Sequence, residues 1–326
     1  MVNFLKRKNV LRLVYSIILV VILYYLTSFF AALSIHGEVQ TDVFKISAGV
    51  DGYIQRVYVN DNQLVRKGQL LMGLDPTPYQ LNVDSANSIY QQAQIQIDLA
   101  KDNYEKIKFT VDSAQKKSEQ TRRTYLRYQS LLESRAISAN DFEQVRLKNQ
   151  MAEDELKSAQ LQLQTAENNI NLNQKMMQQK QSDLNQAKYE LSLTKIVAPQ
   201  TGYISNLNYY GGDYVKKGDM LFGLIDRNAW RVDGYYFEDE IANMKPGQKV
   251  FVRLASDPWK LHWGRITSIS RGVARESHSD NVSLPYQEPV MGWFTNKYYY
   301  SVRIKLNSPE NLPLFVGANA YTLVIY

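Results

Sequence analysis

Between residues 79 and 198, small or apolar side chains return every three or four positions, and no Gly or Pro interrupts them although the chain has 16 and 9. A block of that length without either breaker is predicted to be helical. One seam runs Val83, Ala86, Tyr90, Ala93, Ile97 and Ala100, then Ala114, Ser118 and Thr121, to Leu132; another runs Val145, Asn149, Ala152, Leu156, Ala159 and Ala166 to Leu191. Alternating spacings of three and four are the mark of a coiled-coil seam. The two helices are therefore expected to form an antiparallel hairpin over 77–195 with its tip near 133–138. Thr77 as N-cap, Pro78 at the first helical position and Gln80 closing a capping box read as the start. Ser138, with Asp141 three residues on, reads as the cap of the second helix. At about 1.5 Å per residue, such helices make a rod about 80 Å long. Ser118, Thr121 and Asn149 weaken this seam while fixing its register. Ala93, Ala159 and Ala166 are expected to lie against neighbouring copies of the hairpin.

On either side of the block the period changes to two. "VRKGQLLMGLD" at 65–75 is nearly repeated as "VKKGDMLFGLI" at 215–225, and the match extends without a gap at an offset of 150 from Ala48 and Ala198. Each copy alternates short β-rich runs with turn residues. A copy of about thirty residues is too small to bury a core alone, so residues 43–76 and 196–226 are expected to share one split β-sandwich. Beyond 226, "WRVDGYYFEDEIANMKPGQKVFVRL", "GRITSISRG", "YYYSVRIKL" and "AYTLVIY" predict a β-barrel over 227–326. The fold class is an elongated α+β chain.

The apolar run at 13–33 is 21 residues long and free of charge, enough to cross a hydrocarbon core as one helix. Lys6, Arg7, Lys8 and Arg12 precede it and no acid comes before Glu38. That asymmetry predicts a cytoplasmic segment 1–12, a single-pass inner-membrane anchor and an exported remainder. It also accounts for four of the six net positive charges. The near-balanced rest gives no footprint for a nucleic-acid partner.

The absence of Cys excludes disulfides and thiolate chemistry. His36, His262 and His278 are isolated, and no Gly-rich phosphate loop opens a helix. Glu238, Asp239 and Glu240 read as a solvated helix start. No catalytic residue, metal site or cofactor is assigned, and no enzymatic activity is expected.

The paired "KG" repeats resemble the two halves of a biotinyl or lipoyl carrier domain, but the joint at Asp75-Pro76 opens into the helical block instead of presenting a modified Lys. With that block inserted, the whole chain resembles a membrane fusion protein of the HlyD type, the periplasmic adaptor of tripartite efflux and secretion systems. "RYQSLLESRAIS" at 127–138 carries that family's tip spacing in Arg127, Leu131 and Ser138, with Arg135 and Asp141 supporting the bend. The resemblance implies docking of these residues on a TolC-type outer-membrane channel, an inner-membrane transporter as second partner, and self-association, as a hexameric ring. It further implies export of small molecules such as drugs or organic acids, with 271–297 as a segment that could touch the transporter. The alternatives are a type I protein-secretion adaptor and a membrane-tethered coiled-coil scaffold with no channel partner.

Overall fold

The computed structural model describes residues 14–19, 31–274, 290–291, 296–307, 309 and 312–326. Lys6, Arg7, Lys8, Arg12 and most of the expected membrane span lie outside them, as does most of 271–297. Among the described residues no helix is long and apolar enough to cross a membrane. Residues 14–19 are helical.

Strand β1 (Ala31–Gln40) corrects two expectations at once. The apolar run reads as helix as far as residue 33, yet residues 31–33 pair antiparallel with 323–325. The barrel expected over 227–326 also takes in β1 as one of its six staves. The sequence hides this strand because the alternation of its first residues is submerged in the preceding apolar run. Its burial nonetheless alternates, with Ala32, Ser34 and Val39 turned inward.

The sandwich has two four-stranded sheets, and each takes strands from both copies of the repeat. One has the order β2 (Val43–Ser47), β9 (Met220–Asp226), β7 (Gly202–Ser205), β4 (Leu64–Val65). The other has β6 (Lys195–Val197), β5 (Leu70–Leu74), β3 (Gly52–Val57), β8 (Tyr214–Val215). Residues 150 positions apart meet in one core: Ile54 with Ile204, Val65 with Val215, Leu71 with Leu221, Leu74 with Leu224. The hydrogen bonds reciprocate in the same way. Gly68 N–H donates to Ala198 O at 2.8 Å and Gly218 N–H to Ala48 O at 2.8 Å. Ile54 N–H donates to Asp213 O at 2.8 Å and Ile204 N–H to Gln63 O at 3.0 Å. Gly68 and Gly218 have φ of +80° and +94°, a region in which a side chain is strained, which explains why each "KG" turn ends in Gly.

From β5 the chain enters a 57-residue helix, Thr77–Glu133, and returns by a 55-residue helix, Ala139–Leu193. Every seam residue named above is buried or half-buried. The polar seam residues engage one another: Thr121 Oγ1 donates to Ser118 O at 3.0 Å and to Asn149 Oδ1 at 3.4 Å. Lys117 and Glu155 pair across the helices at 2.6 Å. Ala159 and Ala166 are buried inside the hairpin itself, so their small size serves close approach of its own two helices.

The start of the first helix differs from the expected cap. Helical geometry begins at Thr77, after an N-cap at Pro76 without a side-chain cap bond. Asp75 supplies the acceptor, taking the Thr77 N–H at 3.0 Å and its hydroxyl at 2.7 Å. These bonds hold the Asp75 carboxyl below the usual carboxylate range. Gln80 turns forward to Asp84 at 3.0 Å instead of closing a box. A carboxylate two residues upstream outcompetes a hydroxyl as acceptor for the free N–H groups.

The closed barrel runs β1, β10 (Arg231–Phe237), β15 (Tyr299–Leu306), β12 (Asp257–Ile269), β11 (Lys249–Leu254), β16 (Asn319–Ile325). A short ribbon of β13 (Val290–Met291) and β14 (Asn296–Lys297) precedes β15. Val39, Val232, Val250, Val252, Val302, Ile304 and Val324 fill the barrel with no exposed surface. Two linkers join it to the sandwich, pinned where Thr41 Oγ1 donates to Asp226 O at 2.9 Å and Arg231 pairs with Asp42 at 2.8 Å.

Candidate functional site at the hairpin tip

The long hairpin reverses direction in five residues, and the sequence dictates how. Ala136 N–H reaches back to Leu131 O at 2.9 Å and Arg135 N–H to Leu132 O at 2.9 Å. This is a Schellman closure, which needs a left-handed residue between those donors. Arg135 fills that position with φ of +61°. The Ser134 hydroxyl also donates to Leu131 O, at 2.9 Å. The backbone of Leu131 is thus held by two donors, while its side chain stays half-buried.

On the returning side Ser138 and Asp141 form the expected cap. Asp141 N–H donates to Ser138 Oγ at 3.1 Å, and the Ser138 hydroxyl donates to Asp141 Oδ2 at 2.7 Å. The single proton of Ser138 is therefore spent inside the turn, leaving only a lone pair for another molecule. Below the bend, the rings of Tyr125 and Phe142 meet at 5.5 Å and tie the two helices together.

Arg127 is exposed, two turns before the bend. Among the described residues it has no carboxylate partner, and the same is true of Arg122, Arg123 and Arg135, all exposed; Arg146, by contrast, is held by Glu143. The first helix therefore ends in a cluster of unneutralised guanidinium groups suited to carboxylates or carbonyl oxygens. Sequence reasoning missed Arg122 and Arg123. Arg123 lies one helical turn before Arg127, a spacing that signals a shared face.

Because Arg135 bears the strain of the left-handed position, Arg135→Gly is expected to leave the hairpin as stable or to stabilise it by up to about 1 kcal/mol. Thermal melting followed by circular dichroism checks this. A clear loss of helix stability would show that the Arg135 side chain itself holds the bend.

Elsewhere, Lys67 and Lys217 sit at turns whose N–H groups are taken by Thr201 and Asp51. Among the described residues no group of three or more His, Cys, Asp or Glu side chains is arranged to hold a metal ion. The acidic run is less solvated than expected. Glu238 and Asp239 are exposed, but Glu240 folds back to accept the Phe237 N–H at 2.9 Å, and burial pushes its carboxyl up.

Comparison with known proteins gives a consistent result. The family described as RND MFP, barrel-sandwich hybrid domain, matches residues 42–227. YdhJ of Escherichia coli strain K12 is 27% identical over 283 residues, which are 86% of this chain and 84% of YdhJ. The crystal structure of MacA from Actinobacillus actinomycetemcomitans superposes with a TM-score of 0.63 at 22% identity, covering 91% of this chain and 79% of MacA. The membrane fusion protein Spr0693 from Streptococcus pneumoniae R6 gives a TM-score of 0.52 at 15% identity, covering 90% of this chain and 97% of that one. At such identities these two structures speak for the fold.

Proposed function

The chain belongs to the RND-type membrane fusion proteins, matched over its barrel-sandwich hybrid domain, and from that premise we propose that it bridges an inner-membrane transporter to a TolC-type outer-membrane channel for export of small molecules. The observation that carries this reading is the hairpin: helices of 57 and 55 residues end in a five-residue turn beside exposed arginines that have no carboxylate partner among the described residues. A globular periplasmic domain has no need of a rod about 80 Å long; a bridge between two membranes does.

In this reading Arg127 bonds oxygen acceptors at the channel mouth, and Leu131, one helical turn on, offers its apolar surface beside it. Ser138 and Asp141 keep the turn in one shape, so that little entropy is lost on docking, and Arg135 extends the positive surface across the bend. Residues 13–30 anchor the chain in the inner membrane, with Lys6, Arg7, Lys8 and Arg12 left on the cytoplasmic side. Several copies, six by resemblance, surround the conduit that one copy cannot enclose.

The test uses the Cys-free background. A single Cys at Leu131, carrying a photocrosslinker, is expected to capture an outer-membrane channel in intact cells, identified by mass spectrometry. Capture of sister copies alone would replace the bridging role with that of a self-associating scaffold.

A further inference from the structure

The barrel wall is not evenly sealed. β1 and β10 are paired only over 38–40 and 231–233. Beyond those residues β1 stays with β16 as far as Ala31, and β10 stays with β15 as far as Phe237. Beyond 38–40 and 231–233 the two strands share no further ladder pairs. Across this stretch the Tyr235 N–H donates to Ser34 Oγ at 3.2 Å.

The wedge between them holds a cavity of about 520 Å³, within the size range of small-molecule sites. Its walls combine apolar and aromatic side chains, Leu33, His36, Tyr235, Phe237 and Tyr299 among them, with nearly as much polar surface, and Glu240 supplies the acidic side chain among the described residues. The Phe237 and Tyr299 rings are stacked at 4.5 Å with 21° between their planes, and His36 lies 5.5 Å from Tyr299. One carboxylate oxygen of Glu240 is fixed by the Phe237 N–H. The other has no hydrogen-bond donor among the described residues. Lys297, the nearby cation, is engaged at the rim, 3.7 Å from Asp239 and 5.0 Å from the centre of the Phe237 ring. The protein's own ammonium group thus already uses one of these aromatic faces and also acts on Glu240 from the rim, while the second Glu240 oxygen keeps no hydrogen-bond donor among the described residues.

Aromatic faces attract cations, the more so when water is excluded, and a half-buried carboxylate beside them adds a fixed charge. We propose that this wedge is a binding site for a lipophilic organic cation, with the charge against Glu240 and apolar groups against Phe237, Tyr299 and Leu33. The site belongs to the isolated chain and does not depend on docking at the hairpin tip.

The experiment is calorimetric titration of the full-length protein in detergent, after subtraction of the micelle-only signal. The probes are tetraphenylphosphonium and tetraphenylborate, which share shape and apolar surface but differ in charge. The cation is expected to bind at least about tenfold more tightly than the anion. Glu240→Gln keeps an oxygen to accept the Phe237 N–H, so the turn is preserved while the preference is lost. Tyr299→Leu keeps bulk but removes a ring face, and should weaken the cation by about fivefold or more. Glu238→Gln, an exposed charge in the same short helix, should change nothing. Equal affinity for the two ions, an unaltered preference in Glu240→Gln, or no binding to the wild-type chain would each overturn the proposal.

Discussion

Arg127→Asp is expected to abolish capture of the channel and export, while the amount of protein in the membrane and its helix content stay unchanged. The side chain lies off the seam, between the half-buried Tyr125 and Tyr128, and is exposed without a carboxylate partner among the described residues. Its reversal therefore costs the hairpin little. At a docking surface the same change removes a charge-assisted bond and introduces a repulsive charge, a loss of about 2–5 kcal/mol for a buried pair. That corresponds to roughly 30-fold to several thousand-fold in affinity. Arg127→Lys should retain part of the function, because a point charge replaces a two-pronged donor. Crosslinking yield from position 131 and export by intact cells measure both variants. Unimpaired export by Arg127→Asp would remove the tip from the docking role.

The second large effect is expected from Ala32→Asp. Ala32 is 2% exposed and points into the barrel, opposite Val324. A carboxylate there meets no cation among the described residues in a largely apolar core, and an uncompensated buried charge costs about 3–5 kcal/mol, a large part of a typical domain's stability. Hydrogen exchange should accelerate in β10 and β16, which flank β1, while the sandwich and hairpin stay protected. If residue 32 lay in a membrane helix instead, the barrel strands would keep their protection.

Much of this architecture was legible because its periods are clean. A three-four seam sustained over more than fifty residues leaves little freedom in helix orientation, and each residue assigned to it is wholly or partly shielded from solvent. The offset of 150 was equally informative, since Ile54 and Ile204 or Val65 and Val215 recur in sequence because they meet in one core. The family spacing at Arg127, Leu131 and Ser138 marks the tip in the sequence, and the Ser138–Asp141 cap follows from capping chemistry. What escaped depended on competition or on distant partners. The start of β1 was lost because an apolar run masks a period of two. The Thr77 cap failed because Asp75 offers a stronger acceptor. Glu240 reads as a solvated acid because the sequence does not show that its side chain folds back onto the Phe237 N–H and becomes half-buried.

The same first strand has a mechanical meaning. It enters the barrel at Ala31, directly after the apolar segment, and leaves at Gln40 toward the sandwich linkers. If the apolar segment anchors the chain as proposed, tension between it and the rod passes along the covalent backbone of β1 from Ala31 to Gln40 and on into the sandwich, so the barrel ladders need not carry it. On the proposed anchoring, β1 would be the covalent link through which a pull from the membrane side reaches the sandwich at the base of the hairpin.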